Sequence, residues 1–270
     1  MAMNAILLIL YAVAGAAYAV QFSRRTLGTS RIATVLLVLA AVAHTFAIGM
    51  ETMRIGHVPI ATATSATFTF VWLLALSYLY VELTTGERAM GVFILPLLIA
   101  LQAIPAAASA NLEPRSALLE SPWFGIHVSS LLFAYASFAI AAVLGITYVL
   151  QFKEIKAKQL GFFYARLPSL NVLDDMNLRA VKIGWLFLTV GLITGAIWAS
   201  QIPPSGAMSF GDPKVFVAVL CWAVYSFELY AQRAIGWRGR RAAWLSTVGF
   251  GIVLLNFVPV SYFFTTSHQF

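Results

Sequence analysis

Charge is scarce in this chain: Asp, Glu, Lys and Arg make up 10% of its 270 residues, against about 25% in an ordinary soluble domain. That deficit excludes a soluble globular protein, which needs a charged surface. Cysteine is nearly absent. Cys221 is the single one, which excludes a disulfide framework and any zinc site or iron–sulfur cluster built on several cysteines. There is no GxxxxGK[ST] phosphate loop, no HExxH pair and no recognisable Ser/His/Asp arrangement. Nucleotide hydrolysis, zinc proteolysis and triad chemistry therefore have no carrier.

What is present is apolar. Residues of the hydrophobic set account for 61% of the chain, in long uncharged runs separated by short charged clusters. A spanning helix takes about 20 mostly apolar residues. The runs predict an all-α polytopic membrane helix bundle, a single domain over residues 1–270, with about eight spans near 4–22, 32–50, 64–83, 90–108, 125–151, 181–200, 214–235 and 243–265. The first run has its basic residues, Arg24 and Arg25, behind it, the reverse of a signal peptide, and is read as a retained helix. No internal repeat, low-complexity tract or separate soluble domain is visible.

The positive charge sets orientation. Of the 17 Lys and Arg, all but Arg54, Arg115 and Lys214 fall on one set of connections. By the positive-inside rule that set is cytoplasmic, which puts both termini outside. The net charge of +7 then reads as topology and lipid-headgroup contact, with the bilayer as partner and no nucleic acid. The longest inner connection, about 152–180, is expected to hold a helix partly in the interface plane, with a turn at Leu167–Pro168.

All four histidines map to the outer half. His44 lies about two turns inside span two, His57 in the first outer loop, His127 at the outer start of span five and His268 after the last span. Neutral imidazole is a common metal ligand, and two facing histidines hold haem iron from both axial sides. His127 and His268 suit that task best, both lying at the rim of the apolar layer. Terminal histidines also serve as interfacial residues bonded to water or headgroups, and both readings stand on residues alone. His44 reads as a packed helix histidine with a hydrogen-bonded partner, ligand contact being the alternative. Glu228, inside span seven, is expected to pair with Arg233 or to reach the inner interface. Asp212 before Pro213 suits either a helix cap or a ligand contact. Trp72, Trp123 and Trp198 suit belt or core positions as well as a ligand groove.

An ordered set of segments resembles the cytochrome c assembly protein family, the haem-handling membrane proteins of CcsA/ResC and CcmC type. The segments are Gly195-Ala-Ile-Trp198-Ala, Phe210-Gly-Asp212-Pro213-Lys214, Trp222, Gly236-Trp-Arg-Gly-Arg-Arg241 and Ser267-His268-Gln-Phe270. Upstream, Gly125-Ile-His127-Val-Ser-Ser and Gly56-His57-Val-Pro59 resemble the family's His-containing span and first outer loop. The resemblance implies that His127 and His268 are paired axial ligands of haem b, and that Trp198, Asp212 and Pro213 belong to the haem-binding loop. His57, His44 and Arg54 are further candidate contacts, with haem propionates near Arg54 or Lys214. Two departures are plain. The loop between Trp198 and Asp212 has none of the family's tryptophans, and Tyr230 stands where the synthase type often has a histidine.

The resemblance implies a place in the bacterial inner membrane and a role in cytochrome c biogenesis. Haem b would be bound at the outer face for delivery or attachment to the thiols of an apocytochrome c. The chain would act at most as a component of a holocytochrome c synthase, beside a partner membrane protein of CcsB/ResB type. No residue is suited to be a nucleophile, so its contribution would be orientation and exclusion of water. The alternative is a haem-free or regulatory HemX-like scaffold of a respiratory or haem-synthesis complex. A transporter is disfavoured by the lack of two repeated halves.

Overall fold

Helix follows helix through the chain, as the apolar runs predict. The computed structural model describes residues 2–24, 31–108, 121–158, 161–201 and 213–255, and among these every regular element is helical. They are α1 (Ala2–Arg24), α2 (Arg31–Ile55), α3 (Ala63–Thr85), α4 (Gly91–Ala107), α5 (Pro122–Lys156), α6 (Phe162–Arg166), α7 (Leu170–Gln201), α8 (Pro213–Tyr230) and α9 (Arg240–Leu255). A π-helical turn, Ala231–Ile235, continues α8.

Six of the helices are long and apolar enough to cross a membrane: α1, α2, α3, α5, α7, and α8 with its π turn. The expected fourth span is apolar but runs only 17 residues, with Pro96 and Pro105 inside it. The expected eighth is described to Leu255 as a helix of 16 residues. The last part of that expected span, with His268, lies outside the described residues.

The long inner connection differs from expectation. Among its described residues α5 continues to Lys156, the five-residue α6 follows, and α7 begins at Leu170, so residues 170–180 are the first turns of the next long helix rather than part of a separate interfacial helix. The charges there mark where α7 leaves the apolar layer, not where it starts. Asp175 and Arg179 pair along its surface at 2.8 Å, an i,i+4 contact that supports a solvated helix. The turn at Leu167–Pro168 is present, and the Gln151 side chain donates to the Pro168 carbonyl at 3.0 Å.

α5 runs through the middle, against α3, α7 and α9. Between helices surrounded by lipid the hydrophobic effect gives no net drive, so close packing of small residues does the joining. Gly184 of α7 receives the Phe138 ring and Gly191 receives Leu131. Gly145 of α5 lies against the Ala243 carbonyl of α9. Phe138 also stacks on Tyr225 of α8, with centroids 3.6 Å apart and planes 3° apart. Outward, α2 presents Val35, Val38, Leu39, Val42 and Phe46, and Phe46 is 71% exposed. That is the surface lipid requires.

Successive long helices alternate in direction. Asn4 near the start of α1 donates to Pro105 near the end of α4 at 2.9 Å, while Tyr18 near the end of α1 donates to Glu82 near the end of α3 at 2.5 Å. The bundle thus has two ends. One carries His57 and His127; the other carries Arg31, Arg88, Lys153, Lys156, Arg238, Arg240 and Arg241. We call them the histidine end and the basic end.

Candidate functional site

Ser121 is extended and Pro122 opens α5, so the chain enters helix just before His127. Proline suits this first position because its missing N–H has no intrahelical partner there. Across from it, Gly191, Gly195 and Trp198 recur at i, i+4 and i+7 and share one face of α7. His127 Nδ1 donates to the Gly191 carbonyl at 2.7 Å, linking residues 64 apart in sequence. Thr194 Oγ1 donates to the same carbonyl at 3.2 Å. Two glycines make the contact possible, since a Cβ at Gly195 would come within 2.5 Å of the imidazole ring. The buried Trp198 ring lies 6.3 Å from His127, centroid to centroid, and 5.1 Å from Phe124.

This geometry decides the imidazole's chemistry. A carbonyl can only accept, so Nδ1 carries the proton and, in the neutral ring, Nε2 carries the lone pair. Metal-bound histidines are oriented the same way, by donating their other N–H to a backbone carbonyl or carboxylate. The described residues gather no set of three or more His, Cys, Asp or Glu able to hold a metal ion. A haem needs no such set, because the porphyrin supplies four nitrogens and the protein one or two axial ligands. An imidazole held by its Nδ1 beside the Trp198 ring, which packs in turn on Phe124, fits that group.

The other candidates are distributed unevenly. His57 is buried in the α2–α3 connection, and its Nδ1 donates to the Val58 carbonyl at 2.9 Å, so its lone pair is also on Nε2. Arg54, at the end of α2, pairs with Glu51 one turn earlier. His44 is fully buried. Its Nδ1 lies 3.0 Å from the Tyr11 hydroxyl, its ring is 4.4 Å from Phe68, and its Nε2 has no hydrogen-bond partner among the described residues. Trp72 donates to Thr45 Oγ1 at 2.9 Å. Asp212 and His268 lie outside the described residues, and Pro213 is described only as the first residue of α8.

Glu228 is not paired with Arg233, which is exposed. It is fully buried, with Oε1 2.6 Å from Ser246 Oγ and 3.3 Å from the Gln232 amide that donates to it. The hydroxyl of Ser246 also lies 3.1 Å from Asn177 Oδ1. The face of α8 carrying Glu228 turns toward α9, whereas Arg233 points out of the bundle.

Sequence reasoning did not single out Phe124 or Gly191. The available signal was the pair of glycines one turn apart, one turn before a tryptophan, which marks a helix face open to close approach. It also missed Glu82, buried at the basic end and bonded to Tyr18 and Thr34, each at 2.5 Å.

Comparison with known proteins adds an independent finding. The family model described as "Cytochrome C assembly protein" matches residues 2–268. A "Cytochrome c biogenesis protein CcsA" of Synechococcus elongatus is 26% identical over 280 residues, covering 87% of this chain and 84% of that protein. The protein of the same name from Heterosigma akashiwo is 28% identical, over 73% of this chain and 72% of its own. That of Trieres chinensis is 24% identical, over 93% and 89%.

Proposed function

The chain belongs to the cytochrome c assembly protein family, and from that premise we propose that it binds haem b at the histidine end, through His127 and His268, for delivery or attachment to apocytochrome c. Cytochrome c biogenesis is the role its relatives' names carry. The reading includes eight spans in a bacterial inner membrane, both termini and the histidine end on the outer face, and a partner membrane protein of CcsB/ResB type.

The observation that carries the proposal is the 2.7 Å bond from His127 Nδ1 to the Gly191 carbonyl. It holds the imidazole in one tautomer and one orientation, so that little ordering is left to be done when an iron is bound. Trp198, packed on Phe124, supplies apolar area beside the ring. Trp198, Asp212 and Pro213 form the haem-binding loop in this reading, with His57 beside it and Arg54 or Lys214 facing the propionates. His44, enclosed by Tyr11 and Phe68, serves packing. When bound, haem supplies the iron and the vinyl groups to which the thiols of an apocytochrome CxxCH segment add. The chain's own residues bind, orient and exclude water.

The test is the absorption spectrum of the purified protein, produced with ample haem supply. A Soret band is expected in the parent and is expected to be lost in both His127→Ala and His268→Ala. A colourless parent, or variants that keep the band, overturn the reading, and a colourless parent favours the haem-free scaffold.

A further inference from the structure

We propose that the hairpin between α8 and α9 is a specific site for an acidic glycerophospholipid of the leaflet at the basic end. The hairpin is made by Gly236 and Gly239, at φ 73° and 66°, a backbone region where glycine carries no steric cost. It borders a groove of about 810 Å³ whose lining includes Trp237, Arg238, Arg240, Arg241, Trp244 and Val248. The groove lies at the opposite end of the bundle from His127.

The arginines of this hairpin are not equivalent. Arg238 Nε donates to Asp174 Oδ2 at 3.1 Å while the Gly239 N–H donates to Oδ1 at 2.8 Å. The Asp174 carboxylate is thereby taken up in fixing the turn. Arg240 and Arg241 have no carboxylate partner among the described residues. Their guanidinium groups lie over aromatic rings, Arg240 5.8 Å from the Phe152 centroid and Arg241 5.2 Å from that of Trp237. A guanidinium stacked by its face keeps its N–H edge for planar or tetrahedral oxyanions.

Beyond these cations the groove changes character. Trp244 and Val248, four residues apart on one face of α9, are 48% and 56% exposed and continue away from the basic end. Two cations followed by a tryptophan and then an aliphatic strip match one molecule in sequence: a phosphodiester, the glycerol level where tryptophan is favoured, and an acyl chain. A zwitterionic headgroup carries its own cation and has no need of a second and third. The charge complement is an acidic phospholipid.

The test uses the full chain, delipidated in detergent, with phosphatidylglycerol or phosphatidylcholine added and retention read by native mass spectrometry. Phosphatidylglycerol is expected to be retained in preference. Each basic residue at a membrane surface contributes about a fivefold factor, so the double variant Arg240→Gln/Arg241→Gln is expected to bind roughly 30-fold more weakly. Arg233→Gln, which removes a cation of the same end outside the groove, is expected to bind as the parent does. If the double variant does not fold, Arg241→Gln alone carries the expectation of about a fivefold loss. Equal retention of the two lipids, unchanged binding in the Arg240 and Arg241 variants, or an equal loss in Arg233→Gln overturns the site. Lipid retention is read without haem, so failure of the haem proposal leaves this result intact.

Discussion

Gly195 lies directly against the His127 imidazole: a Cβ added there would stand 2.5 Å from both Cε1 and Nδ1. No rotation of a stiff ring accommodates that contact while Nδ1 keeps its bond to Gly191. Gly195→Ala is therefore expected to displace His127 and weaken haem binding about 10- to 100-fold, the usual effect of removing a contact that orients a ligand. Haem titration followed at the Soret band measures it. Gly125→Ala, where nothing lies within 4 Å of the added Cβ, is the control and is expected to bind normally.

The α5–α9 contact rests on Gly145. A Cβ there would come 2.6 Å from the Ala243 carbonyl oxygen, and a helix backbone does not yield as a side-chain end does. Gly145→Ala is expected to cost about 1–3 kcal/mol by forcing the helices apart. Reversible unfolding in detergent would show it as a lower midpoint, and an unchanged midpoint would contradict the packing described.

At the basic end, Glu82 joins three helices and a loop. It accepts from Tyr18 and Thr34, and Arg88 Nε stands 3.8 Å from its carboxylate. Removing one partner of a buried charged cluster strands the others, so Glu82→Ala is expected to cost about 3 kcal/mol. Glu82→Gln, which keeps an acceptor oxygen, is expected to cost less. The order of the two unfolding midpoints is the test.

Tyr11 is the hydrogen-bond partner of His44. Tyr11→Phe leaves the buried imidazole with neither nitrogen bonded among the described residues and is expected to cost about 1–3 kcal/mol. His44→Leu strands the buried Tyr11 hydroxyl in turn, and the double variant Tyr11→Phe/His44→Leu, which removes both polar groups, is expected to cost less than either single change. Neither change is expected to alter the haem spectrum. A Soret shift in His44→Leu would place His44 at the haem instead.

The two ends of the bundle were legible because hydropathy and charge are summed along the chain. The same summation assigned residues 170–180 to the inner connection rather than to the next long helix, since Asp174, Asp175 and Arg179 signal departure from the apolar layer without signalling the end of a helix. It also favoured Arg233 as a neighbour of Glu228 over Ser246, which is 18 residues away in sequence.

The sequence by itself determined that this is a helical membrane protein, which end of it is basic, and that His57 and His127 share the opposite end. Only the tertiary structure decided that His127 meets Gly191, that Gly195 clears its ring, and that Glu228 faces Ser246. The physical reason is helix rotation. In a soluble protein the polar face of a helix reveals which side turns inward, but here the lipid-facing and core-facing sides are both apolar. The rotation of each helix is set by glycines, aromatic rings and a few buried polar groups fitting against one another, and those fits exist only between helices.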